Sequence, residues 1–237
     1  MPSRLLQRAE KKNMNQDAKV FEDLVARRRS MRAFLPQPVP QEILESIFSS
    51  ALHAPSNCNS QPWIVHVASG DKLEILRHKM PAEFMEGKLS MDFPYDGKYP
   101  GIYQERQYGS AQALYDSVGI KREDKAARQE VFMRNFSFFD APHVAFLFLP
   151  EPFDLRPAAD LGMFTQTLML SFTAHGLGSC PQTALSLQAD LVRETLAIEP
   201  GNKLLFGISF GYPDLDAPIN SCTTTRAALA DIVTFHQ

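Results

Sequence analysis

Apolar residues recur along most of the chain at the three- and four-residue spacing of amphipathic helices, interrupted by short runs typical of strands. The strand-like runs lie at about 63–68, 144–149 and 203–210. The helical patterns begin near residues 17 and 40 and then cover about 71–80, 103–118, 122–135, 157–174 and 187–196. The pattern at 157–174 is apolar nearly all round, which predicts a buried central helix. Helices mixed with short, non-alternating strands favour an α+β fold, in which helices flank one mixed or antiparallel sheet.

Two stretches lack a steady apolar period. Residues 1–16 are polar and unpatterned, so we predict an N-terminal tail that precedes a single domain over residues 17–237. Residues 81–101 carry several Pro, Gly and Tyr residues, which predicts a long excursion from the fold. Ordered excursions of this length are often lids over a binding site.

Composition restricts the class of protein. The chain of 237 residues is 44% hydrophobic and 22% charged, as in ordinary globular proteins, and its net charge of −3 argues against nucleic-acid binding. Cys58, Cys180 and Cys222 are odd in number and far apart, which predicts neither a disulfide framework nor a metal site and favours a cytoplasmic location. The polar N-terminus and the lack of a long apolar run predict no secretory signal and no membrane contact.

The densest chemistry is an arginine cluster at the end of the first helical pattern, Arg28-Arg29-Ser30-Met31-Arg32. Guanidinium groups match phosphate oxygens with two parallel hydrogen bonds, and a hydroxyl at a break in a helix adds a further donor. A solvated basic helix end, favoured by the helix dipole, is the alternative. The candidate phosphate ligands are Arg28, Arg29, Ser30 and Arg32.

An uncharged, amide-rich segment follows the second helical pattern, Pro55-Ser56-Asn57-Cys58-Asn59-Ser60-Gln61-Pro62-Trp63. Turn formation is the alternative explanation, but it does not readily account for two amides, Asn59 and Gln61, two residues apart before Pro62-Trp63. Arginines combined with amides indicate a phosphorylated ligand that has a hydrogen-bonding ring system. Trp63 is expected to pack in the core. The candidate ligand-binding residues are Pro55, Ser56, Asn57, Asn59 and Gln61.

The arginine cluster and the amide-rich segment resemble the opening motifs of the FMN-dependent nitroreductase family. Two later blocks resemble that family in the same order: His175-Gly176-Leu177-Gly178-Ser179-Cys180-Pro181-Gln182-Thr183, and Phe206-Gly207-Ile208-Ser209-Phe210-Gly211-Tyr212-Pro213 followed by Thr224-Thr225-Arg226. The resemblance spans about residue 17 to the C-terminus. It implies a nitroreductase-like fold in which two chains intertwine as a homodimer, with FMN bound at their interface.

This resemblance assigns a role to each arginine. The cluster binds the phosphate and ribityl side of FMN, and Arg29 adds main-chain and pyrimidine-side contacts. Arg226 is the distant partner of the cluster near the C-terminus. Many relatives carry a lysine two residues before that arginine, where this chain has Thr224, and the additional arginine at position 32 is expected to compensate for the missing charge.

The resemblance also implies the activity. The amide-rich segment contacts FMN from the neighbouring subunit, while Pro181, Gln182 and Thr183 lie over the flavin ring with backbone amides near its N5 atom. No side chain is assigned a catalytic role, because the flavin carries the redox step. The expected enzyme is an oxidoreductase that takes electrons from NADH or NADPH and passes them, by a ping-pong mechanism, to a nitroaromatic, a quinone or a similar planar acceptor.

Two other functions stay open. Flavoproteins of the same fold are specialised for enone reduction, dehalogenation or flavin breakdown, and they share the arginine and amide segments. Gly207-Ile208-Ser209-Phe210-Gly211 is also a literal G-x-S-x-G, the motif of serine hydrolases. Tyr212-Pro213 after it predicts a turn, whereas that motif requires a helix.

Aromatic residues of the 81–101 excursion and of the helix after it are candidates for an acceptor pocket. An arginine among them favours a carboxylated aromatic acceptor, as in a nitrobenzoate reductase-like branch of the family. Surface tyrosines that pack a lid are the alternative. The candidates are Tyr95, Tyr99, Tyr103, Arg106 and Tyr108.

Overall fold

The computed structural model describes residues 4–237, with side chains from residue 15 onward. Its helices are α1 (Arg4–Arg27), α2 (Gln41–Ala51), α3 (Gly70–Met85), α4 (Ile102–Ser117), α5 (Lys125–Met133), α6 (Leu155–Ala174) and α7 (Ala189–Leu196). Its strands are β1 (Ile64–Ser69), β2 (His143–Pro150), β3 (Gly178–Gln182) and β4 (Asn202–Gly211). Within these residues the strands form one antiparallel sheet in the order β1-β2-β4-β3.

Strand β2 lies inside the sheet and is covered on both faces, which explains why its sequence is apolar without alternation. Leu147 and Leu149 pack with residues of α2 and α6 on one face. Phe146 and Phe148 pack with residues of α3 and α7 on the other. Successive side chains of a strand point to opposite faces, so a strand between two helical layers needs apolar residues at every position. The predicted α+β fold with helices flanking one sheet is confirmed.

Helix α1 begins earlier than the apolar pattern predicts. Residues 1–3 of the predicted tail lie outside the described residues, and the helix runs from Arg4 to Arg27 rather than from about residue 17. The sequence before residue 17 is rich in Arg, Leu, Gln, Glu, Lys and Ala, which have high helix propensity without forming an apolar stripe. Helix propensity is thus enough to account for a helix that extends beyond the apolar pattern, and the division into a tail and a domain stays a prediction.

Helix α3 also exceeds its prediction, because it continues through Pro81 to Met85 instead of ending near Met80. A proline inside a helix removes one backbone hydrogen bond. The additional turn is held by Phe84, whose ring stacks on that of Phe136 with a centroid distance of 4.4 Å. The predicted excursion is correspondingly shorter and starts after the helix.

Strand β3 lies in a segment for which the sequence pattern predicted no strand. It pairs with β4 on one side, and on its other side Ser179 forms a parallel bridge with Ser30. Pro181 is tolerated because β3 is the outermost strand of the four. The N–H that proline lacks is therefore not needed for a hydrogen bond in the centre of the sheet. The strand therefore brings the central part of the chain beside the arginine cluster.

Helix α6 is buried on one face only. Leu161 and Phe164 are fully or almost fully buried, whereas Leu155 and Met163 are 80% and 40% exposed. The predicted burial of the central helix is thus confirmed for the face toward the sheet, and its second apolar face is open in the single chain. Among the described helices, none combines the length and the apolarity needed to cross a bilayer.

His143 joins three segments through its neutral ring. Its Nε2 accepts a hydrogen bond from the Val39 N–H at 2.9 Å, so the ring proton is on Nδ1, which lies 2.5 Å from the Ser69 hydroxyl. In residues 15–237, no group of three His, Cys, Asp or Glu side chains is arranged to hold a metal ion.

We expect His143 to make the protein less stable in mild acid. Burial lowers the pKa of His143 below its ordinary value of 6.5, so the unfolded chain binds the proton more readily than the folded one. Its contribution to stability is complete above pH 6.5 and is lost as the pH falls through the lower folded-state pKa. Urea unfolding between pH 7.5 and 5 should show this decline, and His143→Gln should make it shallower. Burial also lowers the pKa of His66, so His66 should cause the decline in stability that remains in His143→Gln.

Candidate functional site

A cavity of about 570 Å³ lies between the end of α1, helices α4 and α6, and the C-terminal segment. It brings together the arginine cluster and Arg226, which are nearly 200 residues apart in the sequence. Its lining is formed by Val25, Ala26, Arg28, Arg29, Ser30, Arg32, Ser110, Gln166, Cys222, Thr223, Thr224 and Arg226. The predicted association of the cluster with Arg226 is therefore present in the fold.

The backbone path of residues 28–32 explains how the cluster faces this cavity. Helix α1 ends at Arg27, and the extended chain then runs beside β3, with the Met31 N–H donating to the Ser179 carbonyl at 3.0 Å. The Arg32 N–H donates to Asn220 Oδ1 at 2.7 Å, which fixes the other end. Because side chains alternate along extended chain, Met31 enters the core while Ser30 and Arg32 point to the opposite side.

The cavity has a strongly positive lining. It contains four arginines, and no aspartate or glutamate is among its lining residues. Burial, and then the neighbouring positive charge of Arg226, lowers the pKa of the Arg28 guanidinium from its ordinary value. Like charges held together in a partly buried cavity are destabilising until an anion enters. The electrostatics thus favour a phosphate-sized anion.

The amide-rich segment lies elsewhere on the surface of the chain and does not line this cavity. Cys58, Asn59 and Gln61 all have positive φ angles, of 52°, 55° and 48°. Such left-handed conformations are unfavourable for residues other than glycine and cluster at functional sites. The Ser56 hydroxyl accepts the Gln61 N–H at 3.0 Å, and the side chains of Asn57, Asn59 and Gln61 stay exposed. The single chain therefore presents a strained polar surface here, and none of its residues is among those that line the arginine-lined cavity.

Pro181, Gln182 and Thr183 form the end of β3 and the turn that follows it. Pro181 and Thr183 are exposed, whereas the Gln182 side chain is buried and donates to the Asn135 carbonyl at 3.0 Å. Gln182 Oε1 also accepts a hydrogen bond from the Ser209 hydroxyl. The side chain of Gln182 is thus used inside the fold, and only its backbone is available to a ligand. These three residues are not part of the arginine-lined cavity.

Several cavity residues were not predicted from the sequence. Ser110 on α4 and Gln166 on α6 both line the cavity, as do Cys222 and Thr223. Gln166 gave only a weak signal in the sequence, because it is one of several polar residues in a largely apolar helix. Cys180 lies next to the cluster, and burial raises the pKa of its thiol to about 11, so it stays protonated.

The G-x-S-x-G motif does not form a nucleophile elbow. Ser209 is fully buried within β4, and its hydroxyl donates to the Gln182 side chain. Strand β4 continues two residues past the serine to Gly211, and the next helical segment is a short 3-10 turn at Pro218–Ser221, not a helix that starts at the serine. A hydrolase serine must be exposed at a strand-to-helix turn. The serine hydrolase interpretation is therefore wrong.

A second, larger cavity of about 1040 Å³ adjoins the first and shares Arg226 with it. It lies between α4 and the C-terminal segment and includes Arg106, whose guanidinium is 5.8 Å from the centre of the Tyr103 ring. Tyr95, Tyr99 and Tyr108 are exposed, and they are not among the residues that line this cavity. Of the predicted acceptor-pocket residues, Arg106 thus lies in a cavity that adjoins the arginine-lined cavity.

Comparisons with known proteins agree on one family. The sequence model of the Nitroreductase family matches residues 25–212. Nitroreductase NfnB of Mycolicibacterium smegmatis is 43% identical over 219 residues, which are 92% of this chain and 93% of that protein. The 4-nitrobenzoate reductase of Pseudomonas putida is 32% identical over 212 residues, 87% of this chain and 91% of that protein. The crystal structure of FMN-dependent NfnB from Mycobacterium smegmatis in complex with NADPH matches with a TM-score of 0.89 and 42% identity, over 93% of this chain and 99% of that chain.

Proposed function

The chain belongs to the nitroreductase family, and from this premise we propose that it is an FMN- and NADPH-dependent oxidoreductase that reduces nitroaromatic compounds. The observation that carries the proposal is the cavity with four arginines and no acidic residue in its lining. Its relative NfnB is an FMN-dependent nitroreductase whose crystal structure holds NADPH. The identity of 43% over nearly the whole chain supports the same cofactor here.

The residues of the cavity fit the phosphate end of FMN. Arg28, Arg32 and Arg226 would pair with the phosphate oxygens, because the guanidinium fork matches them and no carboxylate of the lining competes. Ser30 would donate a hydroxyl hydrogen bond from the same side of the extended chain. When bound, FMN supplies hydride acceptance from the nicotinamide and electron delivery to the acceptor. The protein contributes binding, orientation and positive charge.

The ring of FMN would be held by the two other predicted segments. The backbone amides of Pro55–Gln61 and of the 182–183 region are suited to a hydrogen-bonding ring, since they need no particular side chain. We infer a homodimer, because the amide-rich segment lies outside the arginine-lined cavity of its own chain. Large apolar residues on α1, α6 and the C-terminal segment support this inference by their exposure: Phe21 59%, Leu155 80%, Ile232 65% and Phe235 75%.

Finer points of the activity belong to the same proposal. We propose a ping-pong sequence, in which the nicotinamide nucleotide leaves before the acceptor binds to the same face, and acceptors that include quinones. Arg106 beside the arginine site favours a carboxylated aromatic acceptor, as does the similarity to a 4-nitrobenzoate reductase. A specialised flavoprotein of the same fold is the second candidate. The free thiols of Cys58, Cys180 and Cys222 suit a cytoplasmic location.

The absorbance spectrum of the purified full-length protein tests this function. We expect a flavin spectrum that bleaches anaerobically when NADPH is added and recovers when 4-nitrobenzoate or nitrobenzene follows. Faster recovery with 4-nitrobenzoate would support the carboxylate preference. A bound flavin that neither NADPH nor NADH bleaches would favour the specialised flavoprotein. A colourless protein that FMN does not reconstitute would contradict the proposal.

A further inference from the structure

Helix α6 holds the amide-rich segment at two points that are one helical turn apart. The Asp160 carboxylate accepts the Asn57 N–H at 3.1 Å. The Phe164 ring stacks on Trp63 with a centroid distance of 5.0 Å and an interplanar angle of 21°. Residues four apart share one face of a helix, so Asp160 and Phe164 act on the segment from the same side. They anchor both ends of the stretch that contains the left-handed residues.

The strained conformation requires such anchoring. Three non-glycine residues of the segment have positive φ within four positions, namely Cys58, Asn59 and Gln61. Isolated, this sequence favours an ordinary turn, and the left-handed conformations persist only where surrounding contacts determine them. The hydrogen bond to Asp160 lies directly before the first left-handed residue, so it fixes the point at which the chain turns.

The carboxylate at position 160 is otherwise difficult to explain. Asp160 is buried, with 5% exposure, on the apolar face of α6. In the described part of the chain it takes part in no ion pair. An aliphatic residue would pack there at lower desolvation cost, because a buried carboxylate is expensive unless strong hydrogen bonds compensate it. A charge-assisted bond to a backbone amide is such a compensation.

We propose that Asp160 is a positioning residue for flavin binding, which presents the amides of Pro55–Gln61 in the conformation that the ring of FMN requires. This inference rests on the proposed function, since it needs FMN as the ligand. It assigns Asp160 to the ring end of the ligand, whereas Arg28, Arg32 and Arg226 act at the phosphate end. Asp160 itself does not touch the ligand and acts through the Asn57 backbone.

Dissociation of FMN from full-length protein, followed by flavin fluorescence, tests the inference. Asp160→Ala removes the acceptor and should raise the dissociation constants of FMN and of riboflavin alike by about tenfold. Asp160→Asn keeps an acceptor oxygen and should recover most of the affinity. Limited proteolysis within residues 55–61 should be faster in Asp160→Ala than in the wild type, and it should not be faster in Asp160→Asn or in the control variant. The matched control is Thr165→Val, because Thr165 is equally buried on α6 and its hydroxyl donates only to the Leu161 carbonyl of its own helix.

Three results would overturn the inference: wild-type flavin affinity in Asp160→Ala, equal losses in the Ala and Asn variants, or an equal loss in Thr165→Val. If Asp160→Ala does not fold, Asp160→Glu replaces it, since glutamate retains the charge but displaces the acceptor by one methylene. Wild-type affinity in Asp160→Glu would then contradict the role. The proposed function fails separately, if the wild-type protein itself binds no flavin.

Discussion

Replacing Arg28 by Ala should raise the dissociation constant of FMN by about tenfold to a hundredfold, and leave that of riboflavin within about threefold of the wild type. Riboflavin lacks the phosphate, so the two ligands separate phosphate binding from ring binding. Arg28 is half-buried, and burial together with the neighbouring charge of Arg226 lowers the pKa of its guanidinium, so both oppose its positive charge. The negative charge of a bound phosphate would offset both effects. Arg28 should therefore contribute more to the binding free energy of FMN than an exposed arginine would.

The neighbouring arginine provides a control for the loss of charge. Arg27 pairs with Asp23 at 2.7 Å on the exposed surface of α1 and does not line the cavity. Arg27→Ala removes the same charge one residue away and should leave both affinities unchanged. Arg28→Lys should fall between wild type and Arg28→Ala, because an ammonium group keeps the charge but lacks the fork. Equal weakening of FMN and riboflavin in Arg28→Ala would contradict the phosphate role.

The salt dependence of FMN binding adds a second readout. Positive charge that acts over several ångströms is screened as ionic strength rises. The dissociation constant of FMN in the wild type should therefore increase with salt more steeply than in Arg28→Ala. Riboflavin binding should show little salt dependence in either protein.

The features that the sequence predicted correctly are those whose cause is local. The buried run at β2 was recognisable because a strand between two helical layers must be apolar at every position. The arginine cluster was recognisable because three guanidiniums and a hydroxyl lie within five residues. In both cases neighbouring residues carry the whole signal. The β2 strand is confirmed, and the cluster lines a cavity with Arg226, while its role as a phosphate ligand stays a prediction.

The features that the sequence did not predict depend on contacts between distant segments. Strand β3 has small residues and a proline, and it becomes a strand because Ser179 lies between β4 and Ser30, which is about 150 residues away. Gln166 becomes a cavity residue only because α6 passes beside the arginine cluster. Asp160 is one of several polar residues in a largely apolar helix, and only its hydrogen bond to the distant Asn57 N–H distinguishes it. Tertiary pairing of this kind has no local pattern.

Gly178→Ala should both destabilise the fold and weaken FMN binding. A Cβ at Gly178 would lie 2.7 Å from Met31 Cγ, closer than such atoms can pack, and 3.1 Å from Pro213 Cβ, a tight contact. Overpacking of this kind lowers the free energy of unfolding by about 1–3 kcal/mol. Met31 lies between Ser30 and Arg32, so its displacement would also move these two proposed phosphate ligands. Urea unfolding and FMN dissociation measure the two effects.

Gly211→Ala separates the effect on the site from the effect on stability. Its Cβ would lie 2.7 Å from Pro142 Cδ, so the overpacking is as severe, but Met31 is not among the atoms that it meets. Gly178 and Gly211 are paired partners on β3 and β4, which makes the two variants closely matched in position. We expect similar losses of unfolding free energy and a loss of FMN affinity only in Gly178→Ala. Equal losses of affinity would mean that general destabilisation, rather than the path of residues 28–32 beside β3, controls flavin binding.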